Sequence, residues 1–336
     1  MLLYLISNSN MYKRNEVIDI MKGIGIIAVI IGHMWNVPYI PYRVLIFSFH
    51  MPLFFIIAGY FFKPNNNFIK KFKRDFSRLV IPYIFTASTL VVFNILQSFI
   101  GEEKKPDVIT IGIISALFGS GAGHFSPIWG NLPAIGAIWF LLALFWCRVV
   151  YNYIACKTQH KYLIAGIIAI CATLIDRYLI NLPFTILPGL SGMMFYLIGN
   201  WLKTHKVSYV IIIISLVCWI ISILYSQIRM VVCNYGLYPI DIMGACGGTA
   251  FIYWISKYCA KTKLKSLFVW LGVNSLVLLC FHLIELKCRL CFHLHVPDIF
   301  FYKFLVKMLF CMGMTWLCYR FEITRKIFTL KKEIHV

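Results

Sequence analysis

The chain has 336 residues, of which 61% are hydrophobic and only 13% charged, and its mean hydropathy is +0.81. No ordinary soluble domain of this length approaches that balance, and the short alternating segments of a membrane barrel do not dominate the pattern. A net charge of +20 invites a nucleic-acid partner, but the placement of the cations argues against one.

Apolar stretches near twenty residues recur from end to end, at roughly 17–37, 44–62, 79–100, 134–153, 162–181, 184–202, 208–226, 239–257, 266–286 and 300–319. They predict an all-α fold, a polytopic transmembrane helical bundle of about ten spans. The first stretch carries Asp19 and Lys22 and is followed by no small-residue cleavage site, so it is expected to be retained rather than removed as a signal peptide. The longest polar connection runs from Lys63 to Arg78: Lys-Pro-Asn-Asn-Asn and then a basic amphipathic run, Phe68 to Phe76. It reads either as a solvated, headgroup-binding loop or as a docking surface for a polyanionic cofactor. Residues 108–119 are apolar but short for a span, and are expected to form an interfacial or re-entrant helix. No linker, charge block or convincing internal repeat divides the chain, which is read as one membrane domain over 1–336.

With the N-terminus in the cytoplasm, 23 of the 32 lysines and arginines fall on the inner side. This asymmetry is what the positive-inside rule demands, and it accounts for the basic pI without DNA or RNA. Both termini are therefore expected in the cytoplasm. The twelve cysteines lie mostly inside spans, as small apolar residues rather than a disulfide framework. Cys288-x-x-Cys291-x-His293-x-His295 has a spacing that suits zinc, but no second ligand cluster accompanies it. No metal is expected.

Lys22 and His33 stand eleven residues apart in the first apolar stretch. Eleven helical steps of about 100° bring both side chains onto one face, roughly 16 Å apart along the axis. A cation and an imidazole in or beside a bilayer mark a functional site by default. The plainer reading is a snorkelling lysine and a histidine that satisfies a neighbouring carbonyl. Asp19, one turn before Lys22, is placed for an i,i+3 ion pair that would hold the lysine.

Ile18-Asp19-Ile20-Met21-Lys22-Gly23 with His33 after ten intervening residues resembles the basic-x10-His signature of the acyltransferase-3 family of integral-membrane enzymes. Phe49-His50-Met51-Pro52-Leu53-Phe54-Phe55 through Gly59-Tyr60-Phe61 resembles that family's second span. Arg78-Leu79 with Pro82, Trp139-Phe140-Leu141 with Leu144-Phe145, and Gly272-Val273-Asn274-Ser275-Leu276 with His282 follow in the family's order. The resemblance covers a core at about 10–332 and is nearest to the fucose 4-O-acetylase-like and polysaccharide O-acetylase-like branch. The chain departs in carrying Lys22 where the family commonly has Arg, and in ending without the soluble domain that larger members append.

The resemblance implies a bacterial inner-membrane O-acyltransferase, most simply an O-acetyltransferase. Its donor would be cytoplasmic acyl-CoA, most simply acetyl-CoA. Its acceptor would be an envelope polysaccharide or lipid-linked sugar, with membrane lipids as a further partner and no nucleic acid. His33, Lys22 and Asp19 are the expected catalytic group. Transfer from a thioester to a hydroxyl needs a base for the proton and a positive group for the developing oxyanion. Lys22, Lys73, Arg74 and Arg78 are the expected contacts to the donor. His50, Trp139, His282 and Glu285 are the expected contacts to the acceptor. Each has a plainer alternative: packing or a helix kink at His50, packing at Trp139 and Phe140, and interfacial polarity at His282 and Glu285. His124 carries no signal beyond its type. Gly23, Gly25 and Gly32 most simply permit close helix approach. A transporter or flippase for a glycan or small anion is the competing function, and would need discontinuous helices at the membrane midplane.

Overall fold

The first apolar stretch folds as α1, Glu16–Gly32, started by Asn15, whose side-chain oxygen accepts from the Ile18 amide at 3.4 Å. The computed structural model describes residues 15–34, 41–100, 108–126, 130–288, 294–297 and 299–330. Lys13, Arg14, Trp35, Cys291, His293 and Lys332, on which some sequence expectations fall, lie outside the described residues.

The helices follow in order: α2 (Pro41–Tyr60), α3 (Phe68–Asp75), α4 (Ile81–Ile100), α5 (Val108–Phe118), α6 (Trp139–Lys157), α7 (Lys161–Tyr178), α8 (Ile186–Ser191), α9 (Met193–Leu202), α10 (Tyr209–Tyr225), α11 (Ile240–Cys259), α12 (Lys265–Val273), α13 (Ser275–Cys288), α14 (Phe300–Arg320) and α15 (Glu322–Ile327). A two-stranded antiparallel hairpin, β1 (His124–Ser126) and β2 (Gly130–Leu132), precedes α6. Among the described residues, Tyr42–Tyr60, Phe68–Ser98, Trp139–Lys157 and Phe300–Arg320 are long and apolar enough to cross a membrane. α12 and α13 make a fifth if counted together.

Several elements differ from the straight spans expected of them. α1 stops at Gly32, with His33 at φ −102° and ψ 7°, rather than running on toward 37. The stretch 266–286 is broken: α12 and α13 meet at Asn274 with a 76° bend, and the Asn274 side-chain amide donates to the Trp270 carbonyl at 2.9 Å. The Trp270 carbonyl accepts from the Asn274 backbone amide as well, at 3.1 Å, and such back-bonding of a side chain to the i−4 carbonyl accompanies bends in helices. The stretch 184–202 is also divided, into a 3-10 turn at Pro183–Thr185, then α8 and α9, with Pro188, Gly189 and Gly192 as the helix-weakening residues. Conversely, the amphipathic run from Phe68 is no separate loop: a π turn at Phe76–Val80 joins α3 to α4.

The chain forms two compact units, each assembled from separated stretches. One contains α1, α2, α10, α11, α12 and the start of α13. In it α10 is inside out relative to a soluble helix: Ser215, Trp219 and Ser222 are buried, while Ile213, Val217, Ile220 and Leu224 are exposed. Apolar side chains gain nothing by leaving lipid, so small residues decide the packing. A side chain at Gly247 would collide with the Ser215 carbonyl, and one at Gly244 with the backbone of Cys218 and Trp219. α1 and α12 are joined in the same way, since Gly23 abuts the Phe268 carbonyl and Gly272 abuts that of Asp19. Gly25 meets Leu53 and Phe54, and Gly32 meets Ile46 and Phe47, which seats α2 against α1.

The other unit contains α3 to α8, the hairpin, the turn at 229–234, most of α13, α14 and α15. On α7 the buried residues are Ala165, Ala169 and Ala172, while Leu163, Ile167, Ile170 and Leu174 face outward. Gly189 of α8 lies against the backbone of Ala143 in α6. The asparagines after Pro64 close their own loop. Asn65 and Asn152 exchange two bonds of 3.0 Å, and Asn67 caps α3 through the Lys70 amide at 2.9 Å.

Candidate active site

In the first unit, Asp19 and Lys22 form the i,i+3 pair that their spacing predicts, with Oδ1 and Nζ 2.6 Å apart. Asp19 is buried and Lys22 partly so. The close approach of Gly272 to the Asp19 backbone and an ion pair between Glu16 and Lys265 at 2.7 Å hold this end of α1 against α12.

At the other end of α1, His33 places Nδ1 2.8 Å from the Val29 carbonyl. A carbonyl only accepts, so Nδ1 carries the proton and Nε2 is the basic nitrogen of the ring. His50 repeats the arrangement on α2, with Nδ1 2.8 Å from the Ile46 carbonyl. Phe47 stands between the two imidazoles, edge-on to both, with centroids 5.6 Å from His33 and 5.0 Å from His50. Arg43 holds its guanidinium over Phe47 at 5.7 Å. The tertiary packing thus brings together two predicted residues, His33 and His50, and adds Arg43 and Phe47. Arg43, Phe47 and His50 are spaced i, i+4, i+7, the periodicity of one helix face, and that signal was available in the sequence. Behind them the Trp219 indole donates to Ser48 at 2.7 Å, and Ser48 donates to the Leu45 carbonyl.

In the second unit, Lys73, Arg74 and Arg78 are exposed along the run from α3 into α4, as a basic face requires. Beneath them lies a buried cluster that the sequence did not reveal. Asp75, fully buried, accepts from Lys71 and from Arg148 Nη2 at 2.9 Å, with Arg74 3.9 Å away. Tyr151, Tyr196 and Phe62 form an edge-to-face aromatic group in this unit, with centroids 5.0–6.0 Å apart. The Lys71–Asp75 step was legible at i,i+4. Arg148 arrives from 73 residues away.

Trp139 opens α6 and is packed, 6% exposed, with Gly121 against its ring. His282 and Glu285 share a face of α13 and are both fully buried, and Glu285 is ion-paired with Lys307 of α14. Lys307, the partner of Glu285, is one of two lysines in the last apolar stretch, with Lys303, and its sequence position alone does not mark it as part of a buried pair. Among the described residues no group of three His, Cys, Asp or Glu side chains is placed to hold a metal ion.

A model of the acyltransferase-3 family, described as an acyltransferase domain, matches residues 15–320. The chain belongs to the acyltransferase-3 family. Neither a curated protein nor a solved structure matches it. As an acyltransferase-3 protein with apolar helices of spanning length, it is a membrane protein of an acyltransferase family. The match begins with the cap of α1 and ends with α14, so the Asp19–Lys22 pair, the His33–Phe47–His50 group and the Asp75 cluster all fall inside the family domain.

Proposed function

We propose that this protein is an O-acyltransferase that moves an acyl group, most simply acetyl, from cytoplasmic acyl-CoA to a sugar hydroxyl. The acceptor is a bacterial envelope polysaccharide or its lipid-linked precursor. The observation that carries this reading is the His33–Val29 bond: within an acyltransferase family domain, it leaves Nε2 of the signature histidine as the basic nitrogen.

The chain crosses the inner membrane ten times in this proposal, with both ends in the cytoplasm and the basic loops inside. Lys22, oriented by Asp19, meets the donor, and the exposed Lys73, Arg74 and Arg78 attract its phosphates. As the acceptor oxygen bonds to the thioester carbonyl carbon, its proton passes to His33 Nε2. The C–S bond then breaks, and His33 returns the proton to the departing thiolate. Arg43 supplies positive charge on the His33–His50 side, where the oxyanion develops. His50, Trp139, His282 and Glu285 shape the acceptor's surroundings.

The competing transporter reading draws on the bend at Asn274, since broken helices line many transport sites. One experiment separates the two. Membranes containing the protein are given radiolabelled acetyl-CoA, and label in the envelope glycan is counted with wild type and with His33→Gln. Label that depends on His33 supports transfer chemistry. Unlabelled glycan with the wild-type protein removes the acyltransferase reading.

A further inference from the structure

The second unit contains a cleft of about 350 Å³ that no residue of the predicted site lines. Its wall comes from three stretches far apart in the chain: 118–125 with Leu132, 176–188 and 231–234. In the ten-span scheme each of these is a connection, or the end of a span, on the face opposite the basic loops. The placement of the cations puts the stretches on that face, and the fold joins them around one cavity.

The cleft is held in shape by its own bonds. The Ser120 hydroxyl donates to the Ala122 carbonyl at 2.6 Å, and the Ser120 carbonyl accepts from the Ile135 amide at 2.7 Å. Gly121 packs against Trp139 and Val231, where a side chain would collide with both. Asn181 donates to the Asp176 carbonyl at 3.3 Å and to its carboxylate at 3.4 Å. The backbones of Arg229 and Asn234 exchange bonds of 2.8 and 3.2 Å. The buried Cys233 thiol is bonded to Asp176 and Ser191, which ties the third stretch to the second.

We propose that this cleft is an acceptor subsite that binds uncharged pyranose units of the glycan. The identity of the ligand rests on the O-acyltransferase reading. Asp176 can only accept hydrogen bonds, whereas Asn181 and Asn234 both donate and accept, the mixture that vicinal hydroxyls require. Phe125 and Tyr178, each 68% exposed, offer aromatic faces to the apolar side of a sugar ring. The volume lies at the lower end of the ~300–1,000 Å³ common for small-molecule sites, room for a sugar residue and part of its neighbour. A phosphate would need converging cations, but Arg177 lies over the Tyr178 ring at 5.4 Å and shares the cleft with Asp176. A lipid chain would find no use for the carboxylate and the amides.

The probe is the unacetylated envelope polysaccharide from a strain lacking this protein. Its binding to the detergent-solubilised full chain is measured by thermophoresis without acyl-CoA, and its apparent KM in membranes supplied with radiolabelled acetyl-CoA. Tyr178→Ala, on the surface, and Asp176→Asn, which keeps the shape, should each weaken binding and raise the polysaccharide KM tenfold or more. The KM for acetyl-CoA should stay as in wild type. His33→Gln should bind like wild type and transfer nothing. Wild-type binding by both cleft variants, or no binding by the wild-type chain, overturns the subsite. Binding that depends on the cleft with no transfer by wild type retains the subsite and overturns the acyltransferase reading instead.

Discussion

His33 Nδ1 and the Val29 carbonyl oxygen, one turn apart on α1, lie 2.8 Å from each other. The bond selects the tautomer and fixes the ring, as the orienting partner of a catalytic histidine does. General-base catalysis contributes about 10²–10⁴ in rate, so His33→Ala should lose at least 10²-fold in kcat while the protein still inserts. His33→Gln keeps hydrogen bonding without proton transfer and should be nearly as inactive. Wild-type activity should fall on the acidic side as the imidazole protonates, because the imidazolium cannot accept the hydroxyl proton. Transfer of labelled acetyl across a pH series measures both effects.

Asp19 holds Lys22 at 2.6 Å. Lys22→Ala should raise the KM for acyl-CoA at least several-fold or abolish turnover, whereas Lys22→Arg should retain substantial activity because the charge is kept. Asp19→Asn removes the partner and should shift the acyl-CoA KM in the same direction as Lys22→Ala. Initial rates against acyl-CoA concentration test all three. Normal kinetics for Lys22→Ala would leave snorkelling as the account of this lysine.

The Asp75 cluster should behave as a structural lock. Asp75→Asn leaves the buried Lys71 and the Arg148 guanidinium without their counter-charge. Breaking a buried ion pair typically costs about 3–5 kcal/mol. A marked fall in thermal stability in detergent is expected, in contrast to Arg74→Gln on the exposed face, which should change stability little. Thermal unfolding of the purified variants decides this.

Cys233 is a buried thiol in the 229–234 turn, and burial together with the Asp176 carboxylate raises its pKa well above the usual thiol range. The thiolate is the reactive form, so this cysteine should resist maleimide at pH 7–8 in the folded protein and react only after denaturation. Peptide mass mapping after labelling under both conditions provides the measurement.

The ten-span topology predicts that reporter fusions at Lys157, Lys206 and Lys263 all signal cytoplasm. An external signal from these three positions would mean that residues 108–119 cross the membrane, and every later loop would change sides.

Local periodicity by itself determined a good deal of this protein. Helical content, membrane character, the Asp19–Lys22 pair and the basic face from Lys73 to Arg78 all follow from hydropathy and steps of 3.6 residues, which act between neighbours in the chain. The family signature from Lys22 to His33 was legible for the same reason. Only the tertiary structure decided that Phe47 stands between His33 and His50, that Arg148 neutralises Asp75, that Lys307 pairs with Glu285, and that three distant stretches enclose one cleft. In lipid one apolar face suits another almost equally well, so hydropathy cannot choose partners. That choice falls to glycines such as Gly23, Gly247 and Gly272, and to polar groups such as Asn274, whose partners lie on other helices or which stand at bends in their own.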